Sequence, residues 1–325
     1  MSVPKSVGFI GLGVMGLRMV ERLTKLTERD VVIYVFDVNT EVTRVLAEQH
    51  PGRVVVQQNS REVAASSHTV LTMVPEGHHL RSVYMTPDVG ILSADLSDRI
   101  LIDCSTIDIT TSSLVRQAVK EKSTSASFYD CPVSGGSLGA ENGTLTFMLG
   151  CGPDDQNVGF LQSILSMLGK SIIPCGRPGL GLLAKFCNNY CSGLIAIATS
   201  EAFNIAMSQG MDPRILHKIF KTSTASSTVN DTWNPVPGLC PDAPSSHGYQ
   251  GGFKLRLMRK DFGLAVDAAK SGGARLALGD AALKLYTEAS TDPEYSELDA
   301  RVVFKYLGGK QDWEADQVAG RTDVT

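Results

Sequence analysis

Val7-Gly8-Phe9-Ile10-Gly11-Leu12-Gly13-Val14-Met15-Gly16 is the stretch on which the reading of this 325-residue chain turns. The apolar run at 7–10 has strand character, and an amphipathic helical period opens at 14 and lasts to 26. Between them the glycines fall as G-x-G-x-x-G. Gly11 permits a tight turn, Gly13 lets the backbone approach a pyrophosphate, and Gly16 lets helix and strand pack closely. The helix start then offers unpaired N–H groups and a partial positive charge to phosphates. Asp37 lies 21 residues beyond Gly16, at the end of a second strand candidate. An acid there accepts both ribose hydroxyls of an adenosine and repels a 2′-phosphate. Gly11, Leu12, Gly13, Val14, Met15, Gly16 and Asp37 are therefore expected to hold a dinucleotide, NAD in preference to NADP. The alternative, a glycine turn beside a helix-capping Asp, leaves the coincidence of strand, helix and acid unexplained.

Working outward, strand candidates at 31–36, 54–56, 69–74, 100–102, 128–129, 145–149 and 171–173 alternate with helix candidates at 40–49, 110–122 and 154–168, the last with Gly169 as its C-cap. After Gly176-Arg177-Pro178-Gly179 the strand-like runs cease. A long Ala, Ile and Leu-rich helix is expected over 182–209, with further helices at 213–221, 254–270, 276–288 and near 298–307. The predicted class is α/β. An N-terminal Rossmann-type dinucleotide-binding domain (1–177) is followed by an all-helical C-terminal domain (178–310), joined by the long helix, and a loose polar tail (311–325). The stretch 222–252 is rich in Ser, Asn, Pro and Gly without a period, and a loop that long in a small domain is usually functional.

Composition narrows the function classes. With 43% hydrophobic and 20% charged residues the chain reads as globular, and its net charge of −4, with Lys and Arg scattered, supplies no stripe for a nucleic-acid backbone. Seven cysteines, odd in number and irregularly spaced, read as buried free thiols of a reducing compartment. Cys187 and Cys191 stand one helical turn apart with no second ligand pair, and no HExxH occurs, so no metal is expected. Strand pattern begins within a few residues of Met1, which leaves no room for a signal or transit peptide. As written, the chain is expected to be cytoplasmic, or mitochondrial if a leader has been removed. No apolar run is expected to reach the roughly 20 residues of a membrane span.

Three further stretches carry chemistry. Residues 130–140 hold too many small residues to build a core. Successive N–H groups there, with the Ser134 hydroxyl, suit a carboxylate, although the residues alone fit a flexible loop equally well. Lys185 and Asn189 sit one helical turn apart on a stretch otherwise nearly free of charge up to Glu201. A lysine in an apolar helix is unusual unless its amine finds a cavity, the alternative being an amine that snorkels to the surface. Burial and a nearby nicotinamide cation would both favour the neutral amine that accepts a proton from an alcohol, with Asn189 orienting the hydroxyl. The third stretch, 248–262, ends the long loop and starts a helix, and its Lys260 and Asp261 read as a solvated surface pair.

From about 6 to 307 the chain resembles the 3-hydroxyisobutyrate dehydrogenase branch of the β-hydroxyacid dehydrogenase family. The likeness rests on residues 11–16, Asp103-Cys104-Ser105-Thr106-Ile107-Asp108, residues 132–140 with 143–148, residues 185–189, Asn234-Pro235-Val236-Pro237-Gly238, and residues 249–253 with 257–261. It implies that Lys185 is catalytic, that Ser134, Gly135 and Gly136 hold the substrate carboxylate, and that Asn189 contacts the substrate. Val74, Pro75, Thr106, Phe253 and Lys260 would contact the cofactor, and the helical domain would mediate a homodimer or homotetramer. Ile109, where the family often has Pro, and His79, where it often has Asn, depart from the pattern. The expected reaction passes a hydride from a small hydroxycarboxylate, 3-hydroxyisobutyrate, to NAD, giving methylmalonate semialdehyde as in valine breakdown. Reduction of tartronate semialdehyde, glyoxylate or succinic semialdehyde, and a silent nucleotide-binding module, are the alternatives.

Overall fold

In the computed structural model, which describes residues 6–28 and 30–313, two units divide the chain, Met1–Lys185 and Phe186–Thr325. The first opens with β1 (Ser6–Ile10), α1 (Val14–Leu26), β2 (Val32–Phe36), α2 (Thr40–Gln49), β3 (Val54–Val56), α3 (Ser60–Ser66), β4 (Thr69–Thr72), α4 (Gly77–Met85), β5 (Ile100–Asp103), α5 (Ile109–Lys122) and β6 (Ser127–Asp130). The six strands form one all-parallel sheet in the order β3-β2-β1-β4-β5-β6. Strands in such a sheet are covered on both faces, and β1, β4 and β5 accordingly read as nearly unbroken apolar runs. Val7, Phe9, Val20, Leu23, Ile33, Leu71 and Ile102 share the core between sheet and helices.

A smaller sheet follows, from β7 (Val133–Ser134), β8 (Leu145–Leu149) and β9 (Gly169–Pro174), with α6 (Gly136–Asn142) and α7 (Val158–Leu165) between them. β8 pairs antiparallel with β7 and parallel with β9. Here the structure corrects two expectations. Gly169 is no helix C-cap, since α7 ends at Leu165 with Ser166 as its cap and Gly169 begins β9. The glycine is required by close approach, because a Cβ there would collide with the Leu145 carbonyl. The small-residue stretch 130–140 is also not one loop. It forms β7 and α6, and Val133 and Ala140 join the core.

α8 (Leu180–Ser208) passes from the first unit into the second. The division falls inside this helix, several residues beyond the boundary read from the sequence, because its first turn is bonded to the end of β6. At 29 residues α8 is long and apolar enough, by length and composition, to cross a membrane, contrary to the sequence expectation. In the second unit its side chains enter helical cores instead. Tyr190, Leu194 and Ile197 pack with Leu255, Met258, Phe262 and Tyr286, and Phe203 packs with Val236, Phe304 and Trp313.

The second unit continues with α9 (Pro213–Thr222), α10 (Thr228–Asp231), α11 (Leu255–Gly272), α12 (Gly279–Thr291) and α13 (Val303–Tyr306). The stretch 222–252 is held by buried polar side chains rather than by a period. Asn234 donates to the Asn230 carbonyl at 3.2 Å, Ser245 to the Asn234 carbonyl at 2.6 Å and Tyr249 to the Pro235 carbonyl at 2.9 Å. The tail starts later than expected. Trp313 is buried, donates to the Pro237 carbonyl at 2.9 Å and lies under the Arg214 guanidinium, and only 314–325 of the expected tail lies outside the described residues.

Candidate functional site

Strand order in the large sheet reverses between β1 and β4, the place where a doubly wound sheet opens a crevice at the carboxyl ends of its strands. Residues 11–16 follow β1, Asp37 follows β2, Val74 and Pro75 follow β4, and Thr106 follows β5, so every cofactor residue expected in the first unit lies along this one edge. The three glycines do three different things. Gly11 has φ of 94°, and a Cβ there would strike the Met73 carbonyl. A Cβ on Gly16 would strike the Gly11 carbonyl, so this glycine sets how tightly α1 lies against the turn. A Cβ on Gly13 would meet nothing within 4 Å: it would point into open space. Gly13 is also the N-cap of α1, and no side chain caps that helix, whereas Asn39, Asn59 and Asp108 cap α2, α3 and α5. α4, α6 and α7 also lack a side-chain cap, and at α1 the uncapped first turn lies beside an open backbone surface, an arrangement that suits an anion. Asp37 ties the turn to β2, its carboxylate accepting from Leu12 N at 2.5 Å and from Asn39 N at 2.7 Å.

A buried relay fixes the middle of the same edge. Asp103, at the end of β5, accepts from Thr72 Oγ1 at 2.8 Å and from Ser105 Oγ at 2.6 Å, and Ser105 Oγ in turn accepts from Val74 N at 2.9 Å. The chain leaving β4 is thus pinned to the chain leaving β5. Burial pushes the Asp103 carboxyl up to about 6 despite the hydrogen bonds from Ser105 and Thr72, with the Asp130 charge adding to the rise.

Lys185 stands on the second turn of α8 and is only 8% exposed. Gly179, where the helix N-cap would be, has φ of 85° and no side chain to offer. The cap comes instead from Asp130 at the end of β6, which accepts from Gly179 N at 2.8 Å and from Leu182 N at 3.1 Å. Ser134 ends β7 half-buried, and Gly135 and Gly136 beside it are exposed with φ of 133° and 65°. These φ values are ones that side chains other than glycine rarely adopt.

In the second unit, Asn189 is buried, and its Nδ2 donates to Asp261 Oδ2 at 2.7 Å. Its Oδ1 accepts from Asn188 Nδ2 at 3.0 Å. Asp261 is 1% exposed and has Lys260 Nζ 3.2 Å from its other oxygen. The pair read as a solvated surface contact is therefore a buried carboxylate shared between an amide and an ammonium. Phe253 N donates to the buried Asp299 at 2.7 Å.

Comparison with known proteins decides what this arrangement belongs to. Residues 6–176 match the family model described as the NAD binding domain of 6-phosphogluconate dehydrogenase, and residues 179–307 the model described as NAD-binding of NADP-dependent 3-hydroxyisobutyrate dehydrogenase. The probable mitochondrial 3-hydroxyisobutyrate dehydrogenase of Dictyostelium discoideum is 40% identical over 306 residues, covering 94% of this chain and 92% of that one. This chain belongs to the 3-hydroxyisobutyrate dehydrogenase family. The mitochondrial 3-hydroxyisobutyrate dehydrogenase of Mus musculus is 38% identical over 301 residues, covering 93% of this chain and 86% of its own. The solved structure of Mycobacterium tuberculosis 3-hydroxyisobutyrate dehydrogenase with L-serine superposes with a TM-score of 0.83 at 32% identity, covering 94% of this chain and 99% of that one.

As a member of the 3-hydroxyisobutyrate dehydrogenase family the chain is a dehydrogenase that binds a nicotinamide dinucleotide. Its own residues fit that group: the open Gly13 surface and the uncapped α1 suit a pyrophosphate, and the carboxylate of Asp37 stands at the end of β2. Sequence reasoning did not single out Asp103, Asp130 or give Asp261 a role. Each is an acid next to or inside an apolar strand or helix, the one signal of burial available. The reading of the cysteines as buried thiols holds for Cys104, Cys131, Cys151 and Cys240 but not for Cys187 and Cys191, which are exposed on α8, nor fully for Cys175, which is half-buried. His79 is exposed near the start of α4, its ring 3.9 Å from that of His78.

Proposed function

We propose that this chain oxidises 3-hydroxyisobutyrate to methylmalonate semialdehyde, with NAD preferred over NADP and Lys185 as the proton-transfer group. The observation that carries the reading is Lys185 itself, a residue only 8% exposed on an apolar helix whose start is anchored to the sheet. An amine held beside the reacting alcohol is the group that can exchange a proton with it. The bound nicotinamide supplies the acceptor for the hydride. Lys185 takes the hydroxyl proton, while Ser134, Gly135 and Gly136 receive the substrate carboxylate on a hydroxyl and on backbone freed of Cβ atoms. Asn189, its amide oriented by Asp261, contacts the substrate, and Lys260 and Phe253 serve the cofactor. A carboxylate at Asp37 supports NAD, since a 2′-phosphate there would meet like charge. Relatives named 3-hydroxyisobutyrate dehydrogenase at 36–40% identity support the substrate. The Mycobacterium tuberculosis enzyme was solved with L-serine, itself a β-hydroxycarboxylate, which supports the substrate class.

We also propose a homo-oligomer. Ile205 of α8 and Met211, Ile215 and Ile219 near or on α9 are exposed apolar side chains, the kind of surface that proteins keep for association.

The test is a panel of 3-hydroxyisobutyrate, L-serine, glycerate, 4-hydroxybutyrate and glycolate, run with NAD+ and with NADP+ and read as absorbance of the reduced coenzyme. 3-Hydroxyisobutyrate with NAD+ is expected to give the highest kcat/KM. Lys185→Ala is expected to lower kcat by about 10² to 10⁴ while NADH affinity, read by fluorescence, stays nearly intact. Turnover retained by that variant would rule the assignment out.

A further inference from the structure

We infer that Asp130 is the positioning residue for Lys185, acting as an N-cap supplied from 49 residues upstream to the helix that carries the amine. The inference rests on the proposed role of Lys185 in proton transfer.

A helix start leaves its first N–H groups without partners, and a side chain at the N-cap normally takes one or two of them. α8 begins at Leu180, and the residue before it is a glycine with φ of 85°, so its own sequence offers no cap. Asp130 replaces it. One carboxylate oxygen takes Gly179 N, the other takes Leu182 N, and the residue is 2% exposed. The surroundings are shaped around that carboxylate. A Cβ on Gly150 would collide with it, and a Cβ on Gly181 would press on its Oδ2 from 2.9 Å and strike the Met148 carbonyl. Two glycines, one just past β8 and one in the first turn of α8, thus leave room for that side chain. Gly181 serves a second purpose as well, since its lack of a Cβ also lets the start of α8 approach the Met148 carbonyl at β8.

Lys185 is three residues beyond Leu182, less than one helical turn from the last anchored N–H. Over that span a helix transmits the orientation of its first turn almost rigidly. Reaching a proton-transfer geometry needs the amine placed to within a fraction of an ångström, and a misplacement near 1 Å costs about 100-fold in rate. Asp130 acts through the helix backbone and not on the reacting atoms, so its contribution is geometric.

Asp130→Asn tests it, since the amide keeps the shape but turns an NH2 group toward a backbone N–H and so loses at least one of the two bonds. Using the best substrate of the panel, kcat is expected to fall about 10- to 100-fold, with KM and the NADH dissociation constant within about two-fold. The isotope effect on kcat for substrate deuterated at the carbinol carbon is expected to rise, because chemistry becomes the slow step. Asp130→Ser, whose single hydroxyl oxygen is too short to reach both N–H groups, is expected to follow it, and serves if Asp130→Asn folds poorly. A kcat within two-fold of the parent in both variants would overturn the inference. So would a loss of kcat matched by an equal loss of NADH-binding stoichiometry at unchanged isotope effect, since that is only loss of folded protein. Lys185→Ala run alongside separates the two claims. If it is dead while Asp130→Asn behaves as the parent, positioning fails alone; if it turns over, the reading of Lys185 fails whatever Asp130→Asn does.

Discussion

At the scale of the residue, Asp103 makes a clear physical demand. Its carboxyl is fully buried and one oxygen, Oδ2, has no hydrogen-bond partner, so burial outweighs the donations from Thr72 and Ser105 and the group titrates near 6 instead of 3.8. The folded protein therefore keeps a proton that the unfolded chain gives up, and the stability this group contributes is whole below about pH 4, declines from there to about 6, and is flat above. The span is worth about 3 kcal/mol at most. Asp103→Asn keeps an acceptor for Thr72 and Ser105 without a charge to bury. It is expected to be more stable than the parent at pH 8 and nearly equal to it at pH 4 in urea unfolding. A difference of the same size at both pH values would show that the charge is not what the fold tolerates there. That carboxylate holds Ser105 and through it Val74, tying the chain that leaves β4 to the chain that leaves β5. In the sequence this acid was visible only as part of a likeness, because its burial depends on β4, β5 and β6 lying side by side.

At the scale of the element, α1 separates folding from binding in two substitutions. Gly16→Ala places a Cβ against the Gly11 carbonyl, so a change that ordinarily favours a helix is expected to destabilise by about 1 to 3 kcal/mol. Gly13→Ala meets open space at an ordinary φ of −65°, and its cost to stability is expected to stay under about 1 kcal/mol, yet NADH binding should weaken at least ten-fold, because the methyl stands where a phosphate approaches. Denaturation and NADH titration on the same preparations read both; equal NADH affinity in Gly13→Ala and the parent would sink the assignment of that surface. The glycines, α1 and α2 were legible from spacing alone, because local period and turn chemistry are written in consecutive residues. The short elements β7, α3, α4 and α6 were not. Seven-residue helices such as α3 and α6 carry too little period to announce themselves, and α6 is formed from the residues that also suit a loop.

At the scale of the whole molecule, only the folded chain holds the dinucleotide edge together, since its residues come from the ends of four strands spread between 11 and 106. Ligand binding must then raise the unfolding temperature. At 100 times its dissociation constant NAD+ adds about 2.7 kcal/mol, and for a unit of this size that is a rise of about 5 °C or more. NADP+ at the same concentration is expected to give a smaller rise, and an equal or larger one would refute the preference drawn from Asp37. The same scale explains α8. Its composition passes for a membrane span, and what directs its apolar side chains is the pair of helical cores built around Phe262 and Phe203.

By itself the sequence determined the α/β class, the glycine turn with its acid at the end of β2, and the lysine on an apolar helix, because each depends on neighbours within one or two elements. Tertiary structure alone decided which acids are buried and what they hold: Asp103 on Ser105, Asp130 on the start of α8, Asp261 on Asn189. Charge and burial are independent until distant segments meet. A carboxylate 49 residues away from the backbone it caps leaves no local pattern, and only the packed fold brings donor and acceptor to 2.8 Å.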